Sequence, residues 1–213
     1  MSLTLFIGNK AYSSWSLRPW LLMRALDIPF VERITPLYVE GSREKMLLEG
    51  PTGKVPVLRD DDFSIWDSLA IIEYLAEKFP QKAVWPKDAR DRAHARSLCA
   101  EMHSGFQAFR QNCPTNFRRD RRATPREIEE AARADLARIE AIFVQAKGPF
   151  LFGAFGAADA FFAPVVSRID VYALAVNAPA RAYCDAVLAL PAFAAWREGA
   201  KAEDWIIEKW EGL

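Results

Sequence analysis

All strand-like patterning in this chain falls before residue 67, and it does not return after Pro80-Gln-Lys-Ala-Val-Trp-Pro-Lys-Asp88, a stretch with two prolines and no period. A chain organised this way folds as an α/β unit followed by an all-α one, and we place the two units at 1–80 and 89–213. Leu3-Thr-Leu-Phe-Ile7 stops at Gly8-Asn9 and reads as a strand and a turn. Leu17, Trp20, Leu21 and Arg24 then recur at helical spacing, which predicts a helix over about 15–26 with Ser14 or Ser16 as its cap. Phe30 to Thr35 is β-branched and aromatic enough for a second strand, and the polar run Gly41 to Glu49 predicts a short helical turn. Val55 to Leu58 and Phe63 to Ile65 flank Asp60-Asp61-Asp62 as a hairpin. Leu69, Ile72, Leu75 and Phe79 share one face of a third helix that stops at Pro80.

Beyond residue 88 the period is helical throughout. Leu98, Met102, Phe106 and Phe109 lie on one face of a first long helix, and Ile128, Ala132, Leu136, Ile139 and Phe143 on a face of a second. Further helices are predicted over about 157–174, 179–189 and 191–201, followed by an amphipathic tail carrying Trp205, Ile206 and Trp210.

Composition excludes several classes of function. Of 213 residues, 28 are Lys or Arg and 28 are Asp or Glu, so no net charge draws the chain to nucleic acid or anionic lipid. The basic cluster Arg118-Arg-Asp-Arg-Arg122, with Arg110 and Arg126 nearby, reads as a solvated loop. No apolar run reaches the ~18 residues of a spanning helix and no secretory leader is visible, so neither a membrane nor a secreted location is expected. Cys99, Cys113 and Cys184 form no CxxC pair, and His94 and His103 are nine apart on one helix, so no metal is expected and a reducing cytoplasm fits the thiols.

Three short motifs carry chemistry. Tyr12-Ser-Ser-Trp-Ser16 concentrates hydroxyls and unpaired N–H groups at the positive end of the first helix, although one serine could be there simply as a cap. Lys54-Val-Pro-Val57 reads either as an edge-strand proline or as a turn that leaves the main chain of Val55 open to an extended ligand. Asp67-Ser68 could cap the third helix, or hold the ammonium and carboxylate of an amino acid. In the later helix over 157–174, Arg168 and Tyr172 share a face four residues apart, so the arginine needs either a salt bridge or an anionic substrate.

In this order and at these separations the motifs resemble the glutathione transferase superfamily over essentially the whole chain. Ser13-Ser14-Trp15-Ser16 followed by Leu-Arg18 looks closest to the serine-type classes, notably the zeta class, whose SSC motif has a cysteine where this chain has Trp15. The resemblance implies a thioredoxin-like N-terminal domain, an all-α second domain, and glutathione as cosubstrate without a metal. It implies Ser14 first, and Ser13 second, as the catalytic hydroxyl that donates to the glutathione sulfur and favours the attacking thiolate. Val55, with Pro56, would pair with the cysteinyl portion, Asp67 and Ser68 would bind the γ-glutamyl end, and Lys54 would reach the glycyl carboxylate. From the residues themselves, Trp15, Phe106, Phe109 and Tyr172 are candidate walls for the site of an electrophilic small molecule, Trp15 before the rest, and Arg168 is a candidate cation there for an anionic one. The expected protein is a cytoplasmic homodimer acting in detoxification. Glutathione-dependent cis–trans isomerisation of a maleyl-type diacid, or a non-catalytic binding module on the same fold, is the alternative. Leu151-Phe-Gly-Ala-Phe-Gly-Ala-Ala-Asp159 resembles the family's folding signature, with Gly156 where a Ser or Thr cap is usual.

Overall fold

The structure, a computed structural model, describes residues 3–211. It opens with β1 (Leu3–Ile7), α1 (Ser14–Ala25), β2 (Phe30–Ile34), α2 (Ser42–Glu49), β3 (Val57–Asp60), β4 (Phe63–Trp66) and α3 (Ser68–Lys78). The four strands form one sheet in the order β2-β1-β3-β4, with β1 and β2 parallel and the other two pairs antiparallel. Alternation in β1 buries Leu3, Leu5 and Ile7, and Leu5 lies opposite Leu58, which in turn lies opposite Ile65. The parallel pair needs a crossover, and α1 supplies it. It is buried from Ser14 to Met23 except at Trp15, because α3, α7 and α9 all pack against it.

From Ala89 the named elements are helices: α4 (Ala89–Ser104), α5 (Gln107–Asn112), α6 (Glu130–Phe143), α7 (Ala157–Val171), α8 (Ala178–Leu188), α9 (Pro191–Lys201) and α10 (Glu208–Glu211). The first long helix expected from the period is broken in two. Phe106 turns left-handed at φ 57°, and a Cβ on Gly105 would lie 2.7 Å from the Glu101 carbonyl oxygen, so only glycine fits the break. Ile128 stays buried but precedes α6, β3 begins at Val57 after a cis Val55–Pro56 bond, and Trp205 and Ile206 lie exposed in irregular chain ahead of α10.

Helix α7 is buried along its whole length except at Asp170, so its polar side chains Asp159, Ser167 and Arg168 lie in the interior. Asp159 anchors its start: the carboxylate accepts from the N–H groups of Gly156 and Leu151, both at 3.0 Å, and from the Tyr183 hydroxyl at 3.1 Å. Burial outweighs these bonds and pushes the carboxyl up to about 6. The glycine at the cap position has a steric cause. A Cβ on Gly156 would sit 3.1 Å from the Val84 carbonyl oxygen, which itself accepts from the Ala157 N–H at 2.9 Å, so the connection between the units runs tight against the helix.

Residues 203–211 return to the first loop. Glu203 accepts from the N–H groups of Lys10 (2.6 Å) and Ala11 (3.0 Å), and Glu211 accepts from the Tyr12 hydroxyl (2.5 Å) and the Asn116 amide (3.0 Å). The Trp210 ring stands 5.6 Å from Tyr12 and 5.0 Å from Tyr38, centre to centre.

Candidate active site

Register decides what meets what. Phe6 lies opposite Val57, and Val57 opposite Trp66, so the end of β1, the start of β3 and the end of β4 coincide at one end of the sheet. The loop to Ser14, the Val55–Pro56 bond and Asp67 therefore leave the sheet side by side.

At the start of α1 the three serines divide their work. Ser13, not Ser14 or Ser16, is the cap: its Oγ accepts from the Ser16 N–H at 3.3 Å and donates to Ser16 Oγ at 2.7 Å. Ser16 Oγ in turn accepts from the Gly8 N–H at 3.1 Å. The Ser14 hydroxyl makes no hydrogen bond among the described residues and sits at the N-terminal, positive end of the helix.

At the start of α3 Asp67 is the cap, accepting from the N–H groups of Leu69 (2.8 Å) and Ala70 (3.4 Å) through Oδ1. Its backbone, at φ 74° and ψ 132°, occupies a region that costs a non-glycine residue about 1–3 kcal/mol and that surrounding structure must hold in place. The side chain stays exposed. Ser68 behind it is closed to solvent, and its hydroxyl accepts from Arg18 Nη1 at 3.2 Å. Of the middle motif, Lys54 is exposed, Pro56 is buried, and Val55 is half-buried with its main chain in no hydrogen bond among the described residues.

Arg18 is a buried cation with no acidic partner in hydrogen-bond contact. Its guanidinium lies 4.1 Å from the centre of the Trp15 ring and 4.7 Å from that of Phe161, with Nε unpartnered. Burial and the neighbouring charge of Arg110 push its pKa down to about 9, which still leaves it charged at neutral pH. Arg110 stands 5.2 Å from the Trp15 ring centre and joins no ion pair among the described residues. Trp15 is the one partly exposed aromatic among Trp15, Phe106, Phe109 and Tyr172; the other three are buried in the core.

Arg168 and Tyr172 take neither of the places expected of them. Arg168 is buried and donates from Nε to the Cys113 carbonyl at 2.7 Å and from Nη1 to the Pro164 carbonyl at 3.1 Å, while the Tyr172 hydroxyl donates to the Pro114 carbonyl at 2.9 Å. The arginine's partner is neither a salt bridge nor an opening to a substrate but main-chain oxygen. Both side chains hold the segment whose Phe117 N–H donates to the Ala11 carbonyl at 2.8 Å, so they reach the first loop only indirectly.

Sequence reasoning overlooked His103, which comes from α4 to place Nε2 3.1 Å from Asp67 Oδ2 and its ring edge-on to Trp15 at 4.9 Å. A contact between elements so far apart in the chain leaves no local period to read. Arg18 was visible only as part of the serine motif, and Arg110 only as an outlier of the basic loop.

Comparison with known proteins places the fold in a family. Residues 9–83 match the family model described as Glutathione S-transferase, N-terminal domain, and residues 89–199 the one described as Glutathione S-transferase, C-terminal domain. A probable maleylacetoacetate isomerase of Caenorhabditis elegans is 37% identical over 98 residues, 46% of this chain and 45% of that protein. Glutathione S-transferase 1 of Manduca sexta is 41% identical over 76 residues, 34% of this chain and 35% of that one, so the matched segments span less than half of either relative. Among solved structures, a glutathione transferase homologue from Burkholderia with bound glutathione superposes with a TM-score of 0.71 at 24% identity, covering 95% of this chain and 100% of that one. The mixed thioredoxin-like sheet with its helices, the helical second half and the two matched profiles together establish that this chain belongs to the glutathione S-transferase family.

Proposed function

We propose that the protein is a glutathione transferase in which Ser14 activates the glutathione thiol for attack on an electrophilic small molecule. One observation carries this reading: of the three serines at the start of α1, only Ser14 has its hydroxyl without a partner among the described residues, and the loop to it leaves the sheet at the same end as the open main chain of Val55 and the exposed carboxylate of Asp67. A thiol with a pKa near 8.5 is mostly protonated at neutral pH, so a hydroxyl donor, a helix N-terminus and the buried charge of Arg18 all favour the thiolate. The sulfur then forms a bond to the electrophilic carbon, the bond to the leaving group breaks with its electron pair, and the thiol proton passes to solvent.

Residues 1–80 would hold glutathione and 89–213 the acceptor. Val55 pairs with the cysteinyl main chain beside Pro56, Asp67 takes the γ-glutamyl ammonium, Ser68 supports it from behind, and exposed Lys54 reaches the glycyl carboxylate. Ser13 caps the helix rather than touching sulfur. Trp15 is the wall of the acceptor site, and Arg168 and Tyr172 are left out of it. Three unpaired cysteines fit a cytoplasmic detoxification enzyme. Exposed Phe63 and Trp66 on the edge strand β4 fit a homodimer. A second reading, glutathione-dependent isomerisation of a maleyl-type diacid, is favoured by Arg110, a half-buried cation beside Trp15 without an acidic partner. Retention on immobilised glutathione, followed by conjugation of chlorodinitrobenzene and isomerisation of a maleyl diacid, tests both readings. Failure to bind glutathione would overturn them together.

A further inference from the structure

The carboxylate of Asp67 is fixed from two sides. Oδ1 is held by the N–H groups of Leu69 and Ala70, and Oδ2 lies 3.1 Å from His103 Nε2 on α4, an element of the other half of the chain. A carboxylate has about four acceptor positions, so the two N–H groups on Oδ1 and the imidazole beside Oδ2 leave room for a further donor on a side chain that faces solvent. The same imidazole stands edge-on to Trp15, with ring centres 4.9 Å apart at 87°, and Trp15 follows Ser14 in the chain. Nδ1 of His103 is buried and has no partner, so the ring that fits is the neutral one, with Nε2 the nitrogen that faces the Asp67 carboxylate. The groups around it are Asp67 at the cap of α3, Arg18 and Trp15 on α1, Arg110 on α5 and Phe161 on α7. Burial pushes the imidazole below its ordinary range, Asp67 opposes that, and Arg18 and Arg110 add to it.

We propose that His103 is a positioning residue of the glutathione site, aiming Asp67 at the γ-glutamyl ammonium and bracing Trp15 beside Ser14, so that one side chain links the places of the γ-glutamyl and cysteinyl parts of the bound tripeptide. The proposal rests on the reading of Asp67 as the ammonium-binding carboxylate. An ammonium far from the reacting sulfur is held equally in ground and transition states, so His103 acts on glutathione affinity and not on turnover. Protonated, it would present a cation to that ammonium. Affinity therefore falls on the acid side, below the ordinary range of a histidine.

The test compares the full-length protein with His103→Phe, which keeps a ring and loses the donor, and with His103→Gln, which keeps an N–H donor. Calorimetry with glutathione and kinetics with chlorodinitrobenzene are the readouts. We expect His103→Phe to raise Kd and KM for glutathione about 5 to 20-fold with kcat within about twofold, and His103→Gln to recover most of the affinity. Combining His103→Phe with Asp67→Ala should cost no more affinity than Asp67→Ala alone. The acid-side loss of affinity should begin at a higher pH in the wild type than in His103→Gln, where carboxylates alone titrate, a comparison that stands even where the phenylalanine variant fails to fold. Unchanged Kd in both variants, additive losses in the double variant, or an acid limb at the same pH in His103→Gln as in the wild type would overturn the proposal. A wild type that binds no glutathione overturns the proposed function itself, a result distinct from all of these.

Discussion

Asp67 and Asp159 are carboxylates at the starts of helices α3 and α7, and each accepts from two main-chain N–H groups, yet they are put to opposite uses. Asp159 is sealed in the core and takes its third hydrogen bond from Tyr183, so the protein itself saturates it. Asp67 is exposed, sits on strained backbone and keeps accepting capacity toward solvent. The chemical device is the same in both places. What separates a folding anchor from a candidate binding group is whether the protein or the solvent supplies the last donor.

The largest effect should come from the sealed member. Asp159→Ala strands two buried N–H groups and a tyrosine hydroxyl, and should cost about 3 to 5 kcal/mol in urea unfolding while leaving the glutathione affinity of folded protein unchanged. Its titration gives a second check. The folded-state value is raised from 3.8 to about 6, so this group's contribution to stability is complete below the unfolded value and is lost as pH rises through about 6. Asp159→Asn should remove that slope from the pH dependence of stability.

Next in size is the hydroxyl between the two carboxylates' helices. Ser14→Ala should slow conjugation about 10 to 100-fold, on the order of 1.4 to 2.7 kcal/mol, with glutathione binding little changed. Ser13→Ala should instead lower stability by about 1 kcal/mol through its lost cap. A rate loss in Ser13→Ala with none in Ser14→Ala would exchange their roles. Asp67→Ala should weaken glutathione binding about tenfold and lower stability by only about 1 kcal/mol, the reverse of the pattern at Asp159. Wild-type affinity in that variant would erase the contrast. The smallest effect is expected at the neighbour of the sealed carboxylate: Gly156→Ser adds a cap but crowds the Val84 carbonyl, so unfolding should shift by less than about 1 kcal/mol.

What could be read from the sequence was what is local. Alternation in Leu3–Ile7 and the period of Leu69, Ile72 and Leu75 are properties of short windows, and the strands and helices appear where those windows are. The break at Gly105 was hidden because a glycine inside a helical period is compatible with either a kink or a continuous helix. The choice of Ser13 over its neighbours depends on which hydroxyl points back at the Ser16 N–H, a matter of torsion angles rather than residue type. Arg168 was misread for a different reason. A search for acids near it in sequence finds none, and the carbonyls that satisfy it, at Cys113 and Pro164, are groups every residue carries and no sequence pattern marks. His103 combines both difficulties, since its partner is remote and its role depends on orientation.

The return of residues 203–211 to the first loop sets an order in time. Lys10, Ala11 and Tyr12 leave the ribosome well before the groups that hold their N–H and hydroxyl groups, since Glu203 and Glu211 are synthesised 192 to 199 positions later. The sheet and α3 can assemble on the emerging chain, because their contacts close early, whereas the loop that leads to Ser14 stays unfastened until residues 203–211 have been made. During synthesis the nascent chain can therefore carry a formed sheet beside an unfinished candidate site, and residues 203–211 complete the loop that leads to it.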